Sequence, residues 1–164
     1  MAEHRMSFPC TEEQIRELRA GDSVTVDGHV IGIRDRTQIR MFDHGQKPEM
    51  DLTGACNSEY LKGHQYSATG GQLDFVRGAY ASRGGVSIIA FPSTVGNGKI
   101  SKIVPHLAGP VTTPRTDVQY VVTERGVANL KGLSSTERAH ALIGLAHPAF
   151  QEQLTAAAKE MHLI

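Results

Sequence analysis

Gly70-Gly71-Gln72-Leu73-Asp74-Phe75-Val76-Arg77-Gly78, followed by Ile88-Ile89-Ala90-Phe91-Pro92-Ser93-Thr94, is the part of this 164-residue chain from which an architecture can be read. A β-like run, His64 to Thr69, leads into two adjacent glycines. With no Cβ, such residues let backbone N–H groups approach a ligand that a side chain would hold off. Leu73, Val76 and Tyr80, with Phe75 and Ala79 beside them, then recur at helical spacing. The apolar run Val86 to Phe91, ended by Pro92, predicts a strand buried on both faces. Strand, glycine turn, helix N-terminus is a geometry that stabilises negative charge, on a phosphate or a developing oxyanion. It serves equally as a tight turn for packing helix on strand, and both readings stay open.

The pattern continues outward in both directions. Downstream, Gly96-Asn97-Gly98 reads as a tight turn, Ile100, Ile103, Val104 and Leu107 as an extended segment, and Val118 to Thr123 as a buried β-branched strand. Ser134 and Glu137 form a capping box opening a helix with Ala139, Leu142, Ile143, Leu145 and Ala146 inward. Pro148 starts a last helix with Phe150, Leu154, Ala158 and Met161 on one face. Upstream, Thr11 and Gln14 make another capping box, Ile15 and Leu18 a buried stripe, and Gly21 a helix stop. Val24 and Val26, the turn Asp27-Gly28, and Val30, Ile31 and Ile33 predict a β-hairpin. A short helix is expected over 35–42, and His44 to Pro48 is turn-forming. Strands alternating with helices argue for an α/β layer with a mainly parallel sheet.

Composition excludes more than it selects. Formal charge is zero, so nothing points to nucleic acid or an anionic membrane as partner. Hydrophobic content of 40% and charged content of 21% are ordinary for a soluble protein, and no apolar run is long enough to span a bilayer. No secretory pattern is read at the N-terminus, so a cytoplasmic location is expected. Cys10 and Cys56 are isolated and expected to be reduced thiols. The eight histidines contain no HxH or HxxxH pair, and no metal is expected; His147 before Pro148 would cap or pack.

The wording of the chain is more specific than its pattern. The stretches MDLTG (50–54), SATGGQLDFVRGA (67–79), SIIAFPST (87–94), GKISKIVP (98–105), VTTPRTDVQYVVTERGVANLKG (111–132) and ERAHALIGLAHPAF (137–150) resemble the C-terminal domain of the acetyl-CoA hydrolase/CoA-transferase family, in the family's order. The resemblance implies a CoA-transferase-like half of NagB/RpiA type, with coenzyme A as substrate and no metal. It implies that Gly70 and Gly71 form an oxyanion loop, stabilisation worth a few kcal/mol in acyl transfer. It further implies that Ser93, Thr94, Gly96, Asn97, Gly98 and Lys99 line the CoA site. Gly96 stands where the family often has lysine; Lys99 either reaches a CoA phosphate or is simply solvated. Thr112, Thr113, Arg115 and Asp117 match an element in which an Arg–Asp pair would hold loop to sheet. Glu124 aligns with a structural glutamate, whereas the acyl-carrying glutamate of the family lies upstream of everything matched.

Residues 11–45 resemble the start of the β domain of iron–sulfur fumarate/tartrate hydratases, which implies dicarboxylate contact by Arg34, Asp35 and Arg40; Gln38 replaces the usual histidine. The chain thus reads as a hydratase-like segment (1–45), a linker (46–49) and a CoA-transferase C-terminal domain (50–164). The leading expectation is a CoA-thioester-binding half, completed by a partner polypeptide. The others are a non-catalytic remnant or subunit that docks or self-associates, and a hydratase β-type subunit.

Overall fold

The computed structural model describes residues 2–7, 10–27 and 48–164. The chain divides into two compact units, Met1–Arg34 and Asp35–Ile164. The predicted return strand of the first hairpin, the helix over 35–42, residues 46 and 47 of the linker, and Arg34, Asp35 and Arg40 lie outside the described residues.

In the first unit, strand β1 (Glu3–Ser7) runs parallel to β2 (Ser23–Asp27), in register from Glu3–Ser23 to Ser7–Asp27. Between them, α1 (Glu12–Arg16) begins on the predicted capping box. Gln14 N donates to Thr11 Oγ1 at 3.4 Å, and Thr11 N donates to Gln14 Oε1 at 2.9 Å. Asp22 ties the two strands together: its carboxylate accepts from the backbone of Ala2 at 2.8 Å and of Arg19 at 2.9 Å, and meets His4 Nε2 at 3.2 Å. Those backbone donors hold its pKa below the ordinary carboxylate value. The predicted stripe of Ile15 and Leu18 does not form. The helix ends at Arg16, one residue past Ile15, and Ile15 is 51% exposed.

The second unit holds the main core. Strands β3 (Glu49–Asp51) and β4 (Cys56–Asn57) pair antiparallel, and β5 (Tyr60–Leu61) and β6 (His64–Gln65) form a hairpin. Its two-residue turn places Lys62 (φ 51°) and Gly63 (φ 83°) in the left-handed region, as this turn class requires. Helix α2 (Gln72–Ala81) leads to β7 (Ile88–Ala90). A second hairpin, β8 (Thr94–Val95) with β9 (Ile100–Ser101), turns through Gly96, Asn97 and Gly98 as expected. β10 (Ile103–Val104) lies parallel to β3. β11 (Tyr120–Thr123) lies parallel to β7 and antiparallel to β12 (Gly126–Asn129), giving the order β12-β11-β7. Helices α3 (Ser135–Leu145) and α4 (Pro148–Glu160) close the chain.

One apolar cluster joins these pieces. Met50, Leu52, Ile103, Val118, Val121 and Leu130 are fully buried against Ala139, Leu142 and Ile143 of α3 and Leu154 and Ala158 of α4. Both helix starts are as the sequence predicts. Glu137 N donates to Ser134 Oγ at 3.3 Å, and His147 Nδ1 accepts from Ala149 N at 3.2 Å. A buried ion pair fixes β3 to the segment before β10: Lys102 Nζ stands 3.6 Å from Glu49 Oε1.

The protein is α/β, but its sheets are small and mixed. Three of the strand pairings among the described residues are parallel and four antiparallel. Hairpins between consecutive strands supply all four antiparallel pairings, and the mainly parallel sheet is therefore met only in part. β7 also departs from expectation. Only Ile89 is buried, whereas Ile88 is 58% exposed, because one side of its sheet carries no covering layer among the described residues.

Candidate functional site

The glycine turn has the geometry that its sequence predicts. Gly70 adopts φ 64°, a left-handed conformation costly for any residue with a Cβ. Gly71 is the N-cap of α2, and no side chain there caps the helix. The first-turn N–H groups of α2 therefore have no donor-satisfying side chain at the cap, which is the arrangement that suits an anion. The extended run before it is shorter than predicted, since β6 stops at Gln65.

What holds this turn is a polar chain absent from the sequence reading. Gln72, the first residue of α2, donates through Nε2 to Thr113 Oγ1 at 2.9 Å. The neighbouring Thr112 accepts from Ser58 N at 2.9 Å and donates to Glu59 Oε2 at 3.0 Å. Glu59, only 5% exposed, also accepts from Gln65 Nε2 at 3.1 Å, and the same amide donates to Ser67 O at 2.6 Å. Both sides of the glycine pair are thus anchored to residues 112–113. The partners lie 53 and 41 positions apart, beyond any local periodicity. The one signal was that Thr112 and Thr113 fell in a recognisable element.

The expected Arg115–Asp117 pair is replaced by another. Asp117 takes two hydrogen bonds from Arg77 of α2, at 2.8 and 3.3 Å, and Arg77 holds its pKa down. Arg115 instead offers its carbonyl to Arg138 Nη1 at 2.7 Å. The reason is position: Arg77 faces the loop from one turn inside α2, and its guanidinium fork matches a carboxylate.

The 93–99 stretch is anchored separately. Ser93 is fully buried; its N–H donates to Glu124 Oε2 at 2.8 Å and its hydroxyl donates to Glu124 Oε1. Its carbonyl accepts from Lys102 N at 2.8 Å. Thr94 begins β8, and Gly96, Asn97 and Gly98 all have positive φ at the hairpin tip. Lys99 follows at the rim of a groove of about 260 Å³ formed with Ile100, Pro105, Phe150 and Leu154. Glu124 occupies the two-residue turn between β11 and β12, 3.6 Å from Arg125 Nε. The Ser93 hydroxyl lowers its pKa, so it is an ionised, fixed acceptor. The structure thus brings Ser93 to Glu124, and ties the glycine turn to Thr113 through Gln72. Cys56 is no nucleophile: burial pushes its thiol up to about 11. Among the described residues no group of three or more His, Cys, Asp or Glu side chains is placed to hold a metal ion.

Residues 23–158 match the family model for the acetyl-CoA hydrolase/transferase C-terminal domain. The chain belongs to this family. The match begins at Ser23 and so includes residues of the segment 1–45, expected to be of a different kind. Among family relatives, the succinyl-CoA:cyclohexane-1-carboxylate CoA transferase of Geobacter metallireducens is 53% identical over 118 residues, covering 71% of this chain and 27% of that enzyme. The 4-hydroxybutyrate coenzyme A transferase of Clostridium kluyveri is 54% identical over 108 residues, covering 65% and 25%. Among solved structures, RipA from Yersinia pestis superposes with a TM-score of 0.64 at 63% identity, covering 71% of this chain and 25% of its own. The 4-hydroxybutyrate CoA-transferase of Porphyromonas gingivalis gives 0.55 at 44% identity, covering 69% and 24%. The chain therefore spans about a quarter of the length of the acetyl-CoA hydrolase/transferase family members it matches.

Proposed function

We propose that this protein binds the CoA thioester as one part of an acyl-CoA:carboxylate CoA-transferase or acyl-CoA hydrolase, and that a second polypeptide supplies the glutamate that carries the acyl group. The observation that carries this reading is the glycine turn: Gly70 with φ 64° and Gly71 as an uncapped helix start, in a chain of this family. In it, the N–H groups around Gly71 face the thioester oxygen and stabilise charge as it develops. Lys99, on its flexible stem beside the hairpin tip, reaches a CoA phosphate. Ser93 holds Glu124 and contributes to the hairpin's shape more than to ligand contact. Once completed by its partner, the unit is a NagB/RpiA-type half with an extended parallel sheet, working in the cytoplasm without a metal.

Thermal unfolding of the full chain, with and without millimolar CoA and acetyl-CoA, tests this beside a thiol-release assay. The expected result is a rise in Tm with both ligands and no thiol release by the chain alone. Gly71→Ala separates ligand binding from folding. Gly71 sits at φ −95°, and an added Cβ would meet Phe75 at an ordinary 3.4 Å. The variant should melt close to the parent yet lose the CoA-dependent rise. Unchanged CoA response in Gly71→Ala, or no response in the parent, would sink the reading.

A further inference from the structure

Glu59 is a buried carboxyl that the proposed function leaves unused. It is 5% exposed, and among the described residues it forms no ion pair. Both side-chain oxygens accept from neutral donors, Oε2 from the Thr112 hydroxyl at 3.0 Å and Oε1 from Gln65 Nε2 at 3.1 Å. Burying a carboxyl without a cation costs stability, and apolar groups of the same shape are commonly as stable or more so. What a fully satisfied polar network gives instead is one rigid arrangement.

The bonds around Glu59 run from the core to the glycine turn. Thr112 and Thr113 bridge to β4: Thr112 N donates to Cys56 O at 2.8 Å and Cys56 N to Thr113 O at 3.0 Å, and all three residues are buried. In the same strand, Asn57 Oδ1 accepts from Glu59 N at 3.1 Å and fixes its backbone. Two amide side chains tie the turn to this anchor. Gln65 joins Glu59 to Ser67 O, at 2.6 Å, ahead of the glycines. Gln72, directly after them, reaches Thr113 Oγ1 at 2.9 Å. Residues 68–70, between the two ties, are exposed. The turn is clamped at both ends and uncovered in the middle. Packing does not explain the second glycine: its φ of −95° suits any residue, and a Cβ would meet only Phe75 among the described residues beyond its chain neighbours. Having no side chain leaves its N–H open to approach.

We infer that Glu59 is a positioning residue: through Gln65 and Thr112 it holds the Gly70 and Gly71 N–H groups in the one arrangement that meets the thioester oxygen. This rests on the reading of the turn as the thioester-facing loop, and adds the residue that preorganises its donors.

Nuclear magnetic resonance relaxation of the full chain, paired with calorimetric titration of CoA, is the test. In the parent, the Gly70 and Gly71 N–H groups should be as ordered as α2, with order parameters of about 0.85, falling below about 0.6 in Glu59→Gln and Gln65→Ala. The CoA dissociation constant should rise at least about tenfold in both, a loss of roughly 1.4 kcal/mol. Gln65 is exposed, so its variant serves if Glu59→Gln does not fold. Thr112→Val should reproduce the effect, whereas Thr112→Ser, which keeps the hydroxyl, should match the parent. A merely structural role would act as Ser134→Ala does, lowering Tm with CoA affinity intact. That result, or glycines as ordered in the variants as in the parent, would overturn the positioning role. Glycines that loosen in the variants of a chain that binds no CoA would keep the clamp and remove the function.

Discussion

The two faces of the β12-β11-β7 sheet share a backbone and differ in nearly everything else. On one, α3 and α4 bring Leu142, Ile143 and Leu154 onto Ile89 and Val121, and the contact is dry. On the other, Ile88 and Val127 stand in water. The difference is between a layer whose partners are α3 and α4 and one that no described element covers. Stability resides in the first.

The contrast can be broken by substitution, and the largest effect belongs to the covered face. Leu142→Ala empties a fully buried site and should cost about 2–5 kcal/mol, read as a lower urea midpoint. A loss below about 1 kcal/mol would mean that the covered face is not the seat of stability. Next comes the glycine turn, which belongs to neither face. Gly70→Ala forces a side chain into the left-handed region and should cost about 1–2 kcal/mol. Ser134→Ala removes the cap of α3 and should cost about 1 kcal/mol by the same measurement. Smallest is the bare face: Ile88→Thr should shift stability by no more than about 0.5 kcal/mol in the chain alone. A larger loss would show Ile88 to be packed already.

Acid sharpens the picture at the hairpin tip. Glu124 has a folded-state pKa below its ordinary value of 4.5 because Ser93 donates to it. An acid with a depressed folded-state pKa contributes stability above its unfolded value and loses it as pH falls through the folded one. Unfolding free energy should therefore decline below about pH 4.5, and Glu124→Gln should flatten part of that decline. Identical slopes in parent and variant would mean that the Ser93–Glu124 contact does not stabilise the carboxylate in solution.

Local features of this fold were legible in the sequence and distant ones were not. The capping boxes at Thr11 and Ser134, the His147 cap and the Gly96–Gly98 turn each need only neighbours within a few positions. β1 was missed because Glu3 to Ser7 has no apolar alternation: only Met6 is buried, and the strand exists through its parallel register with β2. For the candidate site, the glycine pair could be read from its lack of side chains. Glu59 and Gln72 could not, since each acquires its role from Thr112 or Thr113, more than forty positions away, and Gln65 joins the chain only through Glu59. The exposed half of β7 was misjudged for a related reason: an apolar run says that a strand prefers cover, not that the cover is present.

The two cysteines make the molecule its own reporter. Cys56 lies fully inside the core with its thiol held protonated, while Cys10 is half-exposed. A coloured thiol reagent would label Cys10 at once and reach Cys56 only when the β3–β4 region opens. The slow phase then times core breathing without any added probe, and a bound thioester that tightens the fold would lengthen it.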